Sequence, residues 1–330
     1  DSTSVTGYYD WPGNQLQSAD NPLAILNLAT DRGTTWRSLG NLQADYRFPF
    51  LTALRANVNV GYDIAKADRS IFTPGTLHSQ LKTGTGGTLY RRNDTQINSL
   101  LDAYLNYSAP LNVLPGNIDA TAGYSYSLSH GEYPWFLGQG LTTNLLGEAG
   151  IPAARTVQNS LWVVDSKLIS FFGRANYNIL DRYLISLSVR RDGSSRFGAN
   201  NAWGTFPSAA VAWRVSQEPF MRSFASLSDF KLRASWAKTG NQAFADYQAY
   251  PSYTYGDGQT QYQFGNQFIT TIRPSAVDPN IKWEETRSYN LGIDFGFSNQ
   301  RFSGTIDWYT KKTTDMIFNV PVAAGTNFSN

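Results

Sequence analysis

Chemistry needs particular side chains at particular spacings, and this chain offers few. Its 330 residues hold two histidines, His78 and His130, and no cysteine. Neither histidine has a second one at ligand spacing, so the pattern of a zinc site or a nucleophile triad is missing, and without cysteine there is no thiolate site and no disulfide framework. Gly84, Gly86 and Gly87 lack the following Lys-Ser/Thr of a phosphate loop and read as a loop tip. Asp257-Gly258 and Asp278-Pro279-Asn280 spread too few oxygens over alternating positions for a calcium loop and read as turns. Glu284-Glu285 pairs two carboxylates, but neighbours on a strand point to opposite faces and cannot flank one glycosidic bond. The residue inventory therefore points away from an enzyme, with no cofactor and no metal.

One further cluster, Arg190, Arg191, Asp192 and Arg196, surrounds Gly193 and two serines. It is either a hydrogen-bonded ion network that braces a turn or part of a ligand surface. The turn-forming residues favour bracing.

The elements that carry these residues follow from composition and period. Charged residues are 16%, aromatics 14%, and 28 glycines accompany only two methionines, which is a β-rich balance. A net charge of +2 with no Lys/Arg run longer than two removes nucleic acid as a partner. No apolar run approaches the ~20 residues of a spanning helix, so a place in a membrane requires a barrel. The chain begins at Asp1 with no initiating Met or leader, and is expected to be processed or a piece of something longer.

A two-residue period predicts ten strands. Leu54, Ala56, Val58, Val60, Tyr62 and Ile64 oppose Arg55, Asn57, Asn59, Gly61 and Asp63, and the pattern recurs in 97–107, 118–128, 183–190, 209–215, 230–236, 289–297 and 302–308. Looser strands are expected at 168–177 and, weakest, at 36–48. Several exceed ten residues, longer than a soluble strand and suited to a tilted crossing of ~9–11 residues. Short links at 48–52, 110–116, 180–182 and 298–300 alternate with long ones at 67–88, 132–162, 193–204 and 240–283, with a middling link at 218–228. That alternation predicts an all-β fold, an antiparallel up-and-down transmembrane β-barrel, whereas a Greek-key sandwich places its long crossings irregularly. The apolar set then faces lipid and the polar set a wet lumen. Tyr177, Tyr183, Trp236 and Trp308 are expected in interfacial girdles.

With the strands placed, five blocks become recognisable: DRYLISLSVRRDGSSRFG, WGTFPSAAVAWRVSQEPFM, DFKLRASWAKTGNQ, DPNIKWEETRSYNLGIDFGF and FSGTIDWYTKKTTDMI. In order and spacing they resemble the barrel of SusC/RagA-type TonB-dependent outer-membrane transporters. The resemblance implies a 22-stranded barrel behind an N-terminal plug, of which residues 1–330 form a partial barrel domain, with neither plug nor TonB box visible in this sequence. It implies residence in the outer membrane of a Gram-negative bacterium, contact with outer-membrane lipid, energy from the TonB system and a SusD-like surface lipoprotein as cap. The implied activity is uptake of glycan fragments or oligopeptides. A structural or surface-interaction barrel without transport is the alternative, and a soluble β-rich enzyme or lectin is disfavoured.

Two residue sets follow. Arg190, Arg233, Asp294 and Asp307, with Arg55, Asp63, Asp102 and Asp119, are expected to face the lumen, where mixed signs suit a plugged transporter. The longest link carries Tyr247, Tyr250, Tyr253, Tyr255 and Tyr262, with Phe264 and Phe268, among amides and hydroxyls. Rings beside polar groups suit recognition of sugar or peptide, although packing within the loop or against a cap accounts for them as well.

Overall fold

The computed structural model describes residues 5–11, 16–111, 115–221, 224, 226–255, 261–275, 277–278 and 280–318. Two short helices, α1 (Pro22–Leu28) and α2 (His78–Thr83), accompany fourteen strands among them. The strands are β1 (Thr30–Arg47), β2 (Leu54–Thr73), β3 (Thr88–Leu111), β4 (Gly116–Leu141), β5 (Ala154–Ile179), β6 (Tyr183–Ser194), β7 (Trp203–Arg214), β8 (Leu227–Asn241), β9 (Tyr253–Tyr255), β10 (Gln261–Phe264), β11 (Gln267–Thr270), β12 (Ile272–Pro274), β13 (Glu284–Phe297) and β14 (Phe302–Thr314). Ten of them form one sheet in the order β1-β2-β3-β4-β5-β6-β7-β8-β13-β14. These are the ten strands expected from the period, each beside its sequence neighbour as an up-and-down order requires.

The chain forms two compact units, Asp1–Asn41 with Gly61–Ser99 and Leu128–Asp165, and Leu42–Val60 with Leu100–Ser127 and Ser166–Asn330. The second unit shows how register sorts the side chains. Tyr177, Ile185, Val211, Ala234, Leu291 and Trp308 stand directly opposite one another across six antiparallel strands. One residue along, Asn176, Ser186, Ala210, Ser235, Asn290 and Tyr309 form the adjacent row. Because side chains alternate between faces, the first row belongs to a continuous apolar face and the second to a polar one. Leu187, Val211, Leu232, Ile293 and Ile306 share the apolar face; Leu232 is half-buried there and the other four are exposed.

Several strands are longer than the period foretold. β4 and β5 carry the chain to Leu141 and from Ala154, which shrinks the expected 132–162 link to 142–153, and β3 starts at Thr88 rather than near residue 97. The extensions mix polar and apolar residues on both faces, so they form ladders without an alternation to reveal them. The 67–88 link keeps β2 as far as Thr73 and then makes α2, whose first residue is His78. The 218–228 link begins as a tight turn, where Glu218 accepts from the Tyr183 hydroxyl at 2.7 Å, the Trp213 indole N–H at 3.0 Å and Arg182 at 3.3 Å. Those donors hold the Glu218 carboxyl below the usual carboxylate range. Asp257-Gly258, Pro279, residues 112–114 of the 110–116 link and the segment after residue 318 lie outside the described residues.

The largest buried cluster sits where β6 and β7 meet the long link. Phe197, Phe206 and Trp283 are buried together, with Leu168, Phe244, Ile281 and Ile317 against them. The Phe206 ring lies over Gly204 and Gly240, where a Cβ would come within 2.4 Å and 2.1 Å of ring carbons. Gly240→Ala is therefore expected to destabilise the fold by about 1–3 kcal/mol, read as a fall in the urea midpoint, and Phe206→Leu in the same chain should recover part of the loss.

Candidate functional site

Three places on the sheet collect residues capable of recognition: the polar face of the second unit, a group of rings on β3 and β4, and the long link after β8. On the polar face, Arg233 and Asp307 lie at one level with Gly292 between them. Arg233 donates to both carboxylate oxygens of Asp294, at 3.0 and 2.8 Å, and to Asp307 at 3.1 Å. Lys231 reaches Asp294 at 2.8 Å, and the Thr305 hydroxyl donates to it at 3.1 Å. A side chain at Gly292 would strike Arg233 and Asp307, so the glycine leaves the guanidinium room to cross β13. Two cations and two carboxylates make this cluster neutral within itself.

Arg190 shares that face but joins other partners, Asp192 at 2.7 Å and the Ser170 hydroxyl at 2.8 Å. The cluster expected around it is split between faces. Arg191 points the other way, 5.4 Å over the Trp203 ring, which stacks on Phe171. A concavity of about 560 Å³ on the polar face is lined by Asp119, Asn176, Ser186, Arg233, Ser235 and Asn290 among others. Its lining mixes these polar side chains with Ile185, Val211 and Ala234, and its Arg233 is already paired with Asp294.

In the first unit, Tyr90 and Trp135 stack with ring centroids 6.3 Å apart, and the Arg92 guanidinium lies 5.7 Å over the Tyr133 ring. These residues have the polar parity of β3 and β4, so they stand on strands rather than on a loop. Arg92 pairs with Asp94 at 2.6 Å, Arg69 with Asp31 at 2.6 Å and Arg37 with Asp63 at 2.7 Å. Each arginine is matched by a carboxylate, yet each keeps donors to spare. Sequence reasoning missed these rings because β3 and β4 were cut short of them. The signal available was their spacing, with Tyr133 and Trp135 two residues apart and in step with Asp119 and Thr121.

The described residues of the link after β8 include four short strands. β9 pairs with β12 and, nested between them, β10 pairs with β11 around Gly265, which takes the left-handed backbone that a tight hairpin needs. Tyr253 and Tyr255 are two apart on β9 and are 70% and 89% exposed. Tyr247, Tyr250, Tyr262, Phe264 and Phe268 are exposed as well. The base of the hairpin is held by Arg196, whose guanidinium meets Asp246 at 2.8 Å and the carbonyls of Gln242 and Phe244 at 3.1 Å. Of the two readings of the arginine cluster, Arg196 takes the bracing role.

His130, assigned by the sequence to a loop, lies on β4 beyond Leu128, the last apolar residue of that strand's alternating set. Its Nδ1 is 2.8 Å from Asp165 and its Nε2 3.3 Å from Glu132. The Asp165 carboxylate, then Glu132, hold the imidazole above its ordinary value against a smaller opposing effect of desolvation.

All 330 residues match the family model described as TonB dependent receptor-like, beta-barrel. The chain is 36% identical to TonB-dependent receptor SusC of Bacteroides thetaiotaomicron over 99% of its own length and 32% of that protein. It is 29% identical to TonB-dependent receptor P3 of Formosa agariphila, over 92% of the chain and 30% of that receptor. Among solved structures, the RagAB peptide importer in its closed-closed state superposes with a TM-score of 0.79 at 22% identity, covering 96% of this chain and 34% of that one. The chain thus spans about a third of the length of these relatives.

The raised His130 pKa fixes the sign of a pH effect. A group whose folded pKa lies above its unfolded value contributes stability that is complete below the unfolded pKa and is lost as pH rises through the folded one. Urea midpoints of the native chain should fall between about pH 6 and 8, and His130→Gln should flatten that slope.

Proposed function

The chain belongs to the TonB dependent receptor-like β-barrel family, and from that membership we propose that it forms part of the wall of a nutrient-uptake receptor that moves glycan fragments or oligopeptides across the outer membrane. Its place is the outer membrane of a Gram-negative bacterium. The observation that carries the reading is the two-faced register of β5 to β8, β13 and β14, in which an unbroken apolar face backs onto an unbroken polar one. A soluble sheet with that division covers its apolar face with other elements, whereas a barrel wall turns it to lipid and the polar face to water. Lumen-facing Arg190, Arg233, Asp294 and Asp307 follow from that orientation.

Within this reading the neutral polar wall holds a plug through many weak polar contacts, and the energy for movement comes through the TonB system. Two aromatic surfaces are candidates for meeting the substrate. The hairpin rings Tyr253, Tyr255 and Tyr262, with Tyr247 and Tyr250 nearer its base, take part in first capture or seat a SusD-like lipoprotein. Tyr90, Tyr133 and Trp135, fixed on strands beside self-paired arginines, suit a ligand that is polar but carries little net charge. Hydroxyl-rich glycan fits that description better than a peptide with charged termini. No catalytic step is assigned to any of these residues.

Two experiments test the proposal. Arg on the lipid face at mid-bilayer costs about 2–4 kcal/mol, so Leu187→Arg should impair assembly in the outer membrane far more than Ser188→Arg, and equal tolerance would remove the membrane reading. For ligand contact, the purified receptor without its cap should lose affinity with Trp135→Ala. Tyr253→Ala with Tyr255→Ala should do the same if the hairpin touches substrate, and should release the cap instead if the hairpin is its seat.

A further inference from the structure

Just past the apolar face, the sheet does something that costs energy. Lys238, Arg287 and Lys312 stand directly opposite one another in one row across β8, β13 and β14. Like charges in directly opposed positions repel at a Cβ separation of about 5 Å, and a fold without a use for them places an anion between. Here only Glu285 answers, 2.6 Å from Lys238. Arg287 and Lys312 are exposed and have no acidic partner among the described residues. The row keeps two positive charges unmatched.

Its position says what the missing anion is attached to. Moving two residues along β13 from Arg287 reaches Tyr289, opposite Trp236, and two more reach Leu291, opposite Trp308. These rings border an apolar hollow of about 590 Å³ floored by Ala209, Val211 and Ala234. A second hollow of about 540 Å³ shares Val211, Ala234, Leu291 and Trp308 and continues down the same face among Leu232, Ile293 and Ile306. Small residues on the floor and rings at the sides make a trough on the outward surface, with cations at its mouth. The mouth lies at the strand ends from which the long links leave, the extracellular side of an outer-membrane barrel, and Arg191 on Trp203 lies at the same ends of β6 and β7.

We infer that this trough binds a phosphorylated lipid of the outer leaflet, an acyl chain lying over Ala209, Val211 and Ala234 and a headgroup phosphate bridging Lys238, Arg287 and Lys312. An anion on a soluble molecule has no reason to need the trough, and a neutral lipid has no reason to need the row. The lipid class is that of lipid A, whose phosphates sit at headgroup depth directly above several acyl chains. The inference rests on the apolar face being turned to lipid, which the comparison of Leu187→Arg with Ser188→Arg tests separately.

The experiment uses the whole receptor in detergent, challenged with phosphorylated lipid A, with lipid A stripped of its phosphates, and with inorganic phosphate, and bound lipid is counted by native mass spectrometry. One basic residue is worth about fivefold in binding an anionic headgroup, so Arg287→Gln with Lys312→Gln should cost roughly 25-fold for the phosphorylated lipid and leave the stripped one unchanged. That double variant keeps the Lys238–Glu285 pair, and its urea midpoint shows whether the fold is intact. Ala234→Phe, which fills the trough, should weaken both lipids together. Equal retention of the two lipids by the native chain overturns the headgroup site. Displacement of bound lipid A by inorganic phosphate at equal concentration overturns the lipid as its source.

Discussion

Inside hydrocarbon, a backbone N–H or C=O has no water to turn to, so every strand of a membrane sheet must find its neighbour's groups along its whole crossing. That requirement makes register the constraint on which this protein rests. A slip of one residue between β8 and β13 would leave the ladder bonded but move Ile293 to the polar face and Asp294 to the apolar one. The Arg233 fork to Asp294 and Asp307 works against such a slip, since it forms only when Gly292 lies between the two partner residues. Hydrophobic contact fixes which face is which, and the ion cluster fixes the alignment along the strand.

Several arginines of the polar side-chain sets are answered by carboxylates at short range. Arg37, Arg69, Arg92 and Arg233 each have a carboxylate within 2.8 Å. Exposed pairs of this kind contribute little stability. Their effect is rather on the field, because a wall whose charges cancel locally neither traps nor repels a charged solute. The outward face does the opposite at its upper margin, where Lys238, Arg287 and Lys312 are concentrated against one carboxylate.

Much of this was legible in the sequence, because the crossing segments must alternate to satisfy two solvents at once. The ten sheet strands, their order and the parity of residues such as Leu187 and Arg233 all follow from that alternation. β1 was nearly lost because Leu39 carries the parity of Arg37 and Asp45 and blurs the pattern. The upper halves of β3, β4 and β5 were hidden for a different reason: past the hydrocarbon, nothing obliges a strand to alternate, and Tyr90, Trp135 and His130 passed for loop residues. The apposition of Lys238, Arg287 and Lys312 was beyond reach, since three positions as far apart as 238 and 312 become neighbours only once the register is known.

The attachment of the hairpin has a consequence for genetics. Arg196 belongs to the link between β6 and β7, yet its guanidinium secures the start of an arm that begins some fifty positions later in the chain, and the same base is packed through Phe197 on Phe244 and Trp283. Selection acting on whatever the arm touches will therefore leave its mark in two segments that look unrelated on a linear map. A lesion at residue 196 should phenocopy lesions in the arm, and drift in the arm's sequence between relatives should be tolerated only where the shoulder holding it stays as it is.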